Sequence, residues 1–197
     1  MFSTRPLRSF GGLLAVWLTV LAAAITAPVH AESSAPPATD PFAEDARWWS
    51  VSGGVSVDNR LGQIHLVQAG LGCGLAPDLG VHAGVTLGYA HALRTKDHLV
   101  GGPQVGAIWR LAHAGRWSGY LEGLAGAVVH EEPMTDESLP FNFDLQAGLG
   151  AGYALGGGSV LRGGVRWHHL SNARIRGKPR NLGYDGPLVY VGVAVPY

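Results

Sequence analysis

Residues 160–171, VLRGGVRWHHLS, change character at every step. Leu161, Gly163, Val165, Trp167, His169 and Ser171 share one face of an extended chain, and Arg162, Gly164, Arg166 and His168 share the other. Side chains of a β-strand alternate sides with period two, so this is a strand with one mostly apolar face. The unusual part is what the faces carry. Two arginines sit deep in one, and a histidine and a serine end the other. A soluble two-sheet sandwich would also alternate. In a membrane barrel, however, the apolar face meets lipid, the arginines point into the lumen, and His169 and Ser171 stand outward at one rim.

Composition favours the barrel. Of 197 residues 30 are glycine, and only 14% are charged, against typical shares near 7% and about 25%. The glycines lie inside alternating apolar segments, which argues against a low-complexity linker. Net charge is zero at pH 7, so nothing here calls for nucleic acid. Cys73 is the only cysteine, so no intrachain disulfide is available. The N-terminus combines Arg5 and Arg8, an apolar Leu13–Ala27 stretch and the small-residue exit Val29-His30-Ala31. That pattern predicts a signal peptide over residues 1–31; a retained membrane helix is the alternative. Residues 32–47, ESSAPPATDPFAEDAR, read as a flexible lead-in without a buried face. The barrel is expected over 48–197.

Eight candidate strands follow: 48–57, 64–75, 79–92, 99–113, 116–130, 142–155, 159–171 and 187–196. Each can cross a bilayer, which takes about 9–11 tilted residues. Connections alternate between tight turns (Pro77-Asp78, Gly115, Gly156–Gly158) and longer loops, including EEPMTDESLPF at 131–141. Short periplasmic turns and long outer loops are the pattern of outer-membrane barrels. The fold class expected is therefore all-β, an eight-stranded antiparallel transmembrane β-barrel. Gln68, Gln104, Arg110, Glu122, Asp144, Gln146, Arg162 and Arg166 have lumen parity and can satisfy one another inside a barrel of this size. The period-2 glycines of GLGCG (70–74) and GLGAG (148–152) make room for them; no helix follows that would make a nucleotide loop. Tyr197 ends an alternating valine strand, like the C-terminal aromatic that the barrel-assembly machinery reads.

Polar side chains turned toward lipid are costly and mark function. His169 and Ser171 stand two apart on one face, about 6.5–7 Å between Cα atoms. A histidine beside a hydroxyl is a base beside a nucleophile, and a carboxylate should hold the other imidazole nitrogen. Asp185 is the only acid after Ser171. Its parity matches Val189 and Val191, although Gly186 and Pro187 could break it. His168 has lumen parity and reads as a structural partner.

The segment HHLSNARIRGKPRNLGYDG (168–186) resembles the catalytic segment of the outer-membrane lipid A 3-O-deacylases. The resemblance is specific over some twenty residues and architectural elsewhere. It implies a serine esterase of lipid A in lipopolysaccharide, located in the outer membrane of a Gram-negative bacterium. Ser171 would be the nucleophile, His169 the base and Asp185 the acid, with Asn172 at the oxyanion site and neither metal nor cofactor. This sequence departs from the family twice: the acid is aspartate where glutamate is usual, and Arg174 replaces a frequent glycine after Ser-Asn-Ala. Arg174, Arg176, Lys178 and Arg180 read either as a phosphate-binding set for lipopolysaccharide or as a solvated basic loop. Two other functions fit the same barrel: a non-catalytic adhesin or scaffold, and a phospholipid acyl hydrolase.

Overall fold

A computed structural model describes residues 42–197. The expected signal peptide and most of the lead-in lie outside these residues. The described chain forms eight strands: β1 (Arg47–Asp58), β2 (Gly62–Ala76), β3 (Leu79–Ala92), β4 (His98–Ala114), β5 (Trp117–His130), β6 (Phe141–Ala154), β7 (Val160–Ser171) and β8 (Tyr184–Pro196). Each pairs antiparallel with its neighbour, and β1 pairs with β8 to close the barrel. Closure leaves no open sheet edge, the condition for placing strands in lipid.

Parity sorts the side chains as the sequence predicts. Leu71, Leu87, Leu99, Val105, Leu149, Val165 and Val189 are exposed on the outside. Trp49, Trp109, Trp117 and Tyr153 lie toward the end of the barrel that carries the short turns, and Phe141, Phe143 and Trp167 toward the other. These are the two aromatic girdles of a lipid-spanning wall.

The lumen is layered, which alternation alone does not reveal. In the middle, Glu122 Oε2 accepts hydrogen bonds from Arg162 (2.8 Å) and Arg166 (3.0 Å), and Tyr190 donates to Oε1. Arg166 also donates to Gln68 and Gln146, and Gln68 donates to Gln104. Charges this deep persist only when paired and hydrogen-bonded. Above lies an apolar cap that includes Ile64, Leu66, Val100, Met134, Leu170 and Tyr184; below lies another of Phe42, Trp48, Ile108, Tyr120, Val160 and Ala194. A Cβ on Gly72 would come within 2.3 Å of the Trp48 ring, so this glycine makes room for a large lumenal side chain.

Two expectations need correction. Arg110 sits at the short-turn end of the lumen and not in the central layer: its Nε donates to Asp78 Oδ1 (2.6 Å) at the β2–β3 turn, and a register shift within β4 falls between Arg110 and Ala112. The lead-in also has a buried face at its end. Phe42 is buried against Trp48 and Tyr120, with ring centroids 5.5 and 5.2 Å away. The chain is tied there by Asp45 N–H to the Gly74 carbonyl (3.2 Å) and Gly74 N–H to the Ala46 carbonyl (2.9 Å). One large aromatic in a polar segment carries no periodicity, so pattern reading passes over it.

Candidate active site

β7 presents Trp167, His169 and Ser171 outward at the long-loop end. β8 begins at Tyr184, three residues earlier than expected, so Asp185 is a strand residue lying directly opposite His169. Gly186 and Pro187 leave the parity intact: Tyr184, Gly186 and Leu188 face inward, and Asp185 and Pro187 outward. His169 Nδ1 lies 2.8 Å from Asp185 Oδ1. With Nδ1–H donated to the carboxylate, Nε2 is left as the acceptor a general base needs. The Trp167 ring stacks on the imidazole at 5.1 Å with a 15° interplanar angle, fixing its plane from one side.

Ser171 is half-buried and lies opposite Phe143 of β6, with Leu145 opposite His169. Among the described residues its hydroxyl has no hydrogen-bond partner, and His169 Nε2 does not reach it. The His–Asp half of the expected triad is assembled and the Ser–His half is open. The reason is the strand itself, because residues two apart stand about 6.5–7 Å apart at Cα and meet only when both side chains lean.

Asn172 is buried, and its side chain is hydrogen-bonded within the loop. Nδ2 donates to the Arg180 carbonyl, Oδ1 accepts Arg174 N–H (3.0 Å), and its backbone N–H donates to Asn181 Oδ1 (2.9 Å). Its amide therefore shapes the loop. Ile175 N–H returns to the Asn172 carbonyl (3.1 Å), and the two central residues, Ala173 and Arg174, have φ of 51° and 60°. Positive φ at both central positions is the signature of a type I′ turn. Arg174 thus adopts the left-handed backbone that glycine adopts freely, at a cost of about 1–2 kcal/mol. The turn survives the replacement; the strain is the consequence. Among the described residues Ala173 N–H has no hydrogen-bond partner, one residue beyond Asn172.

Arg174, Arg176, Lys178 and Arg180 are all exposed, and among the described residues they make no ion pair. They lie on the loop between β7 and β8. Trp167 and Asn181 were not singled out from the sequence. The parity of Trp167, two before His169, was the signal for the first; for Asn181 only its place in PRNLGYD was available.

Residues 75–194 match the family described as lipid A 3-O-deacylase (PagL). The chain belongs to that family. The match contains His169, Ser171 and Asp185 and leaves β1 and nearly all of β2 outside it. As a lipid A 3-O-deacylase family member with this architecture, the protein is an outer-membrane β-barrel. No curated protein matches the chain. Among solved structures it is similar to the N-terminal β-barrel domain of Pseudomonas aeruginosa OprF, with a TM-score of 0.52 and 11% identity over 78% of this chain and 98% of that one. It is also similar to Neisserial surface protein A, with a TM-score of 0.53 and 14% identity over 77% and 96% of the two chains. At such identities the likeness extends to the fold.

Proposed function

We propose that this protein is a serine esterase that removes the 3-position acyl chain of lipid A. The observation that carries the reading is the His169–Asp185 pair on the lipid-facing rim, with Ser171 on the same face. An outer-leaflet lipid offers its ester at that depth, next to the outer wall. Ser171 Oγ attacks the ester carbonyl while His169 Nε2 takes its proton, and Asp185 stabilises the imidazolium. The tetrahedral oxyanion is held by the unpaired Ala173 N–H, which Asn172 presents by bracing the turn. Collapse breaks the bond to the sugar oxygen, His169 returns the proton to it, and water then hydrolyses the acyl-serine by the same route. The Ser171–His169 contact closes when substrate binds, as catalytic hydrogen bonds are often long in free enzymes. Arg174, Arg176, Lys178 and Arg180 stand free to meet lipid A phosphates through charge-assisted hydrogen bonds.

The test is mass spectrometry of lipopolysaccharide incubated with detergent-solubilised protein, beside Ser171→Ala. Loss of one 3-hydroxyacyl chain with the wild type alone supports the reading. The open Ser171–His169 gap is the one observation that favours a non-catalytic barrel; no mass change across several acylation patterns, with a folded protein, would overturn the lipid A esterase.

A further inference from the structure

We infer that Asp58, on β1 and outside the matched family segment, is a positioning residue for the triad proposed above, on which this inference rests, and that with Arg60 it clamps the strand bearing Asp185. Asp58 is buried, at the last position of β1. Its Oδ2 accepts the Asp185 backbone N–H at 3.0 Å. The Arg60 guanidinium donates to the same Oδ2 (3.0 Å) and to the Gly183 carbonyl (3.1 Å), gripping the chain two residues before the acid. Arg60 N–H donates to Asp58 Oδ1 (2.7 Å) and fixes the carboxylate from below.

The clamp stands where the β1–β8 ladder fails. Backbone pairing between these strands ends at Ser56 and Leu188. Residues two apart in a strand direct their N–H groups to the same neighbour. The Asp185 N–H faces β1, so the ring nitrogen of Pro187 faces it too, and proline has no hydrogen to donate. A side-chain carboxylate therefore replaces the missing backbone contact. Gly186 permits the close approach: a Cβ there would lie 2.0 Å from the Val57 carbonyl oxygen.

The clamp also accounts for the shorter acid. Aspartate reaches one methylene less far than glutamate, so its backbone has to stand close to His169 and stay there. Asp185 lies directly opposite His169, and its own N–H is the atom that Asp58 holds. A lengthened acid should then need the clamp less than aspartate does.

The experiment compares wild type, Asp58→Asn, Arg60→Gln, Asp185→Glu and the Asp58→Asn/Asp185→Glu double variant, with folding followed by heat-modifiable gel mobility. Steady-state deacylation of purified lipid A is measured together with the proton NMR signal of His169 Nδ1–H. Asp58 touches no substrate, so its loss should lower kcat about 10–100-fold with KM unchanged, the penalty of a misplaced catalytic group. Arg60→Gln, at an exposed position, should lower kcat about threefold by the same loosening of geometry. The double variant should exceed Asp58→Asn alone at least fivefold. In Asp58→Asn the Nδ1–H signal should broaden or disappear. Wild-type kcat in folded Asp58→Asn, no gain from Asp185→Glu, or an unchanged Nδ1–H signal would each overturn the clamp. The NMR arm needs no turnover: a protein that deacylates nothing but loses this signal on Asp58→Asn keeps the clamp and loses the esterase.

Discussion

His169 and His91 each place Nδ1 2.8 Å from an aspartate oxygen, the first against Asp185 and the second against Asp97. Both pairs stand at the outer rim. They belong to β7 and β3, four strands apart in a ring of eight, so they occupy opposite walls. Beyond that distance they share little. The residue two after His169 is Ser171; the residue two after His91 is Leu93. His169 is covered by the Trp167 ring, and its side chain is 23% exposed against 60% for His91. Asp97 is a local partner six residues on, also bonded by Tyr89, whereas Asp185 comes from a separate strand held by β1. A His–Asp pair orients a base and nothing more. Chemistry also needs a nucleophile on the same face, an oxyanion donor and an acid that stays in place.

The comparison can be broken most severely at the nucleophile. Ser171→Ala should cut deacylation on the order of 10³-fold or more while leaving the barrel folded, as measured by lipid A mass spectrometry and gel mobility. Next comes a matched pair of acids. Asp185→Asn should cost on the order of 10³-fold in kcat, because the imidazole loses its orientation, while Asp97→Asn should stay within about twofold of wild type. Equal losses from the two changes would erase the distinction between the walls. Trp167→Ala frees the His169 ring and should lower kcat about tenfold in the same assay. Leu93→Ser in a Ser171→Ala background supplies the missing hydroxyl on the opposite wall; activity should not return, because no type I′ turn with a free N–H follows it. The smallest effect concerns that turn. Arg174→Gly should stabilise the barrel by about 1 kcal/mol by relieving a left-handed side chain, read as a shifted urea midpoint in detergent.

Much of this was legible in the chain because strand parity is local. Whether Trp167, His169 and Ser171 face lipid or lumen depends only on counting by two from Val165. Asp185 could be named as the acid because no other follows Ser171. Asn172 shows where such reading stops: its residue type is legible, but its hydrogen bonds to Arg180 and Asn181 are set by how the loop folds back. Phe42 was hidden for a related reason, since its pocket is built from Trp48 of β1 and Tyr120 of β5.

The sequence by itself determined the eight strands, the face each side chain takes, the glycine-lined interior and the outward placement of His169 and Ser171 on one face of β7. All of these depend on spacing along the chain. Only the tertiary structure decided the register that sets Asp185 opposite His169, the layering of the lumen, and the grip of Asp58 on an acid 127 residues away. These depend on closing the ring between β1 and β8. Closure is a property of the whole barrel, and no local period encodes it.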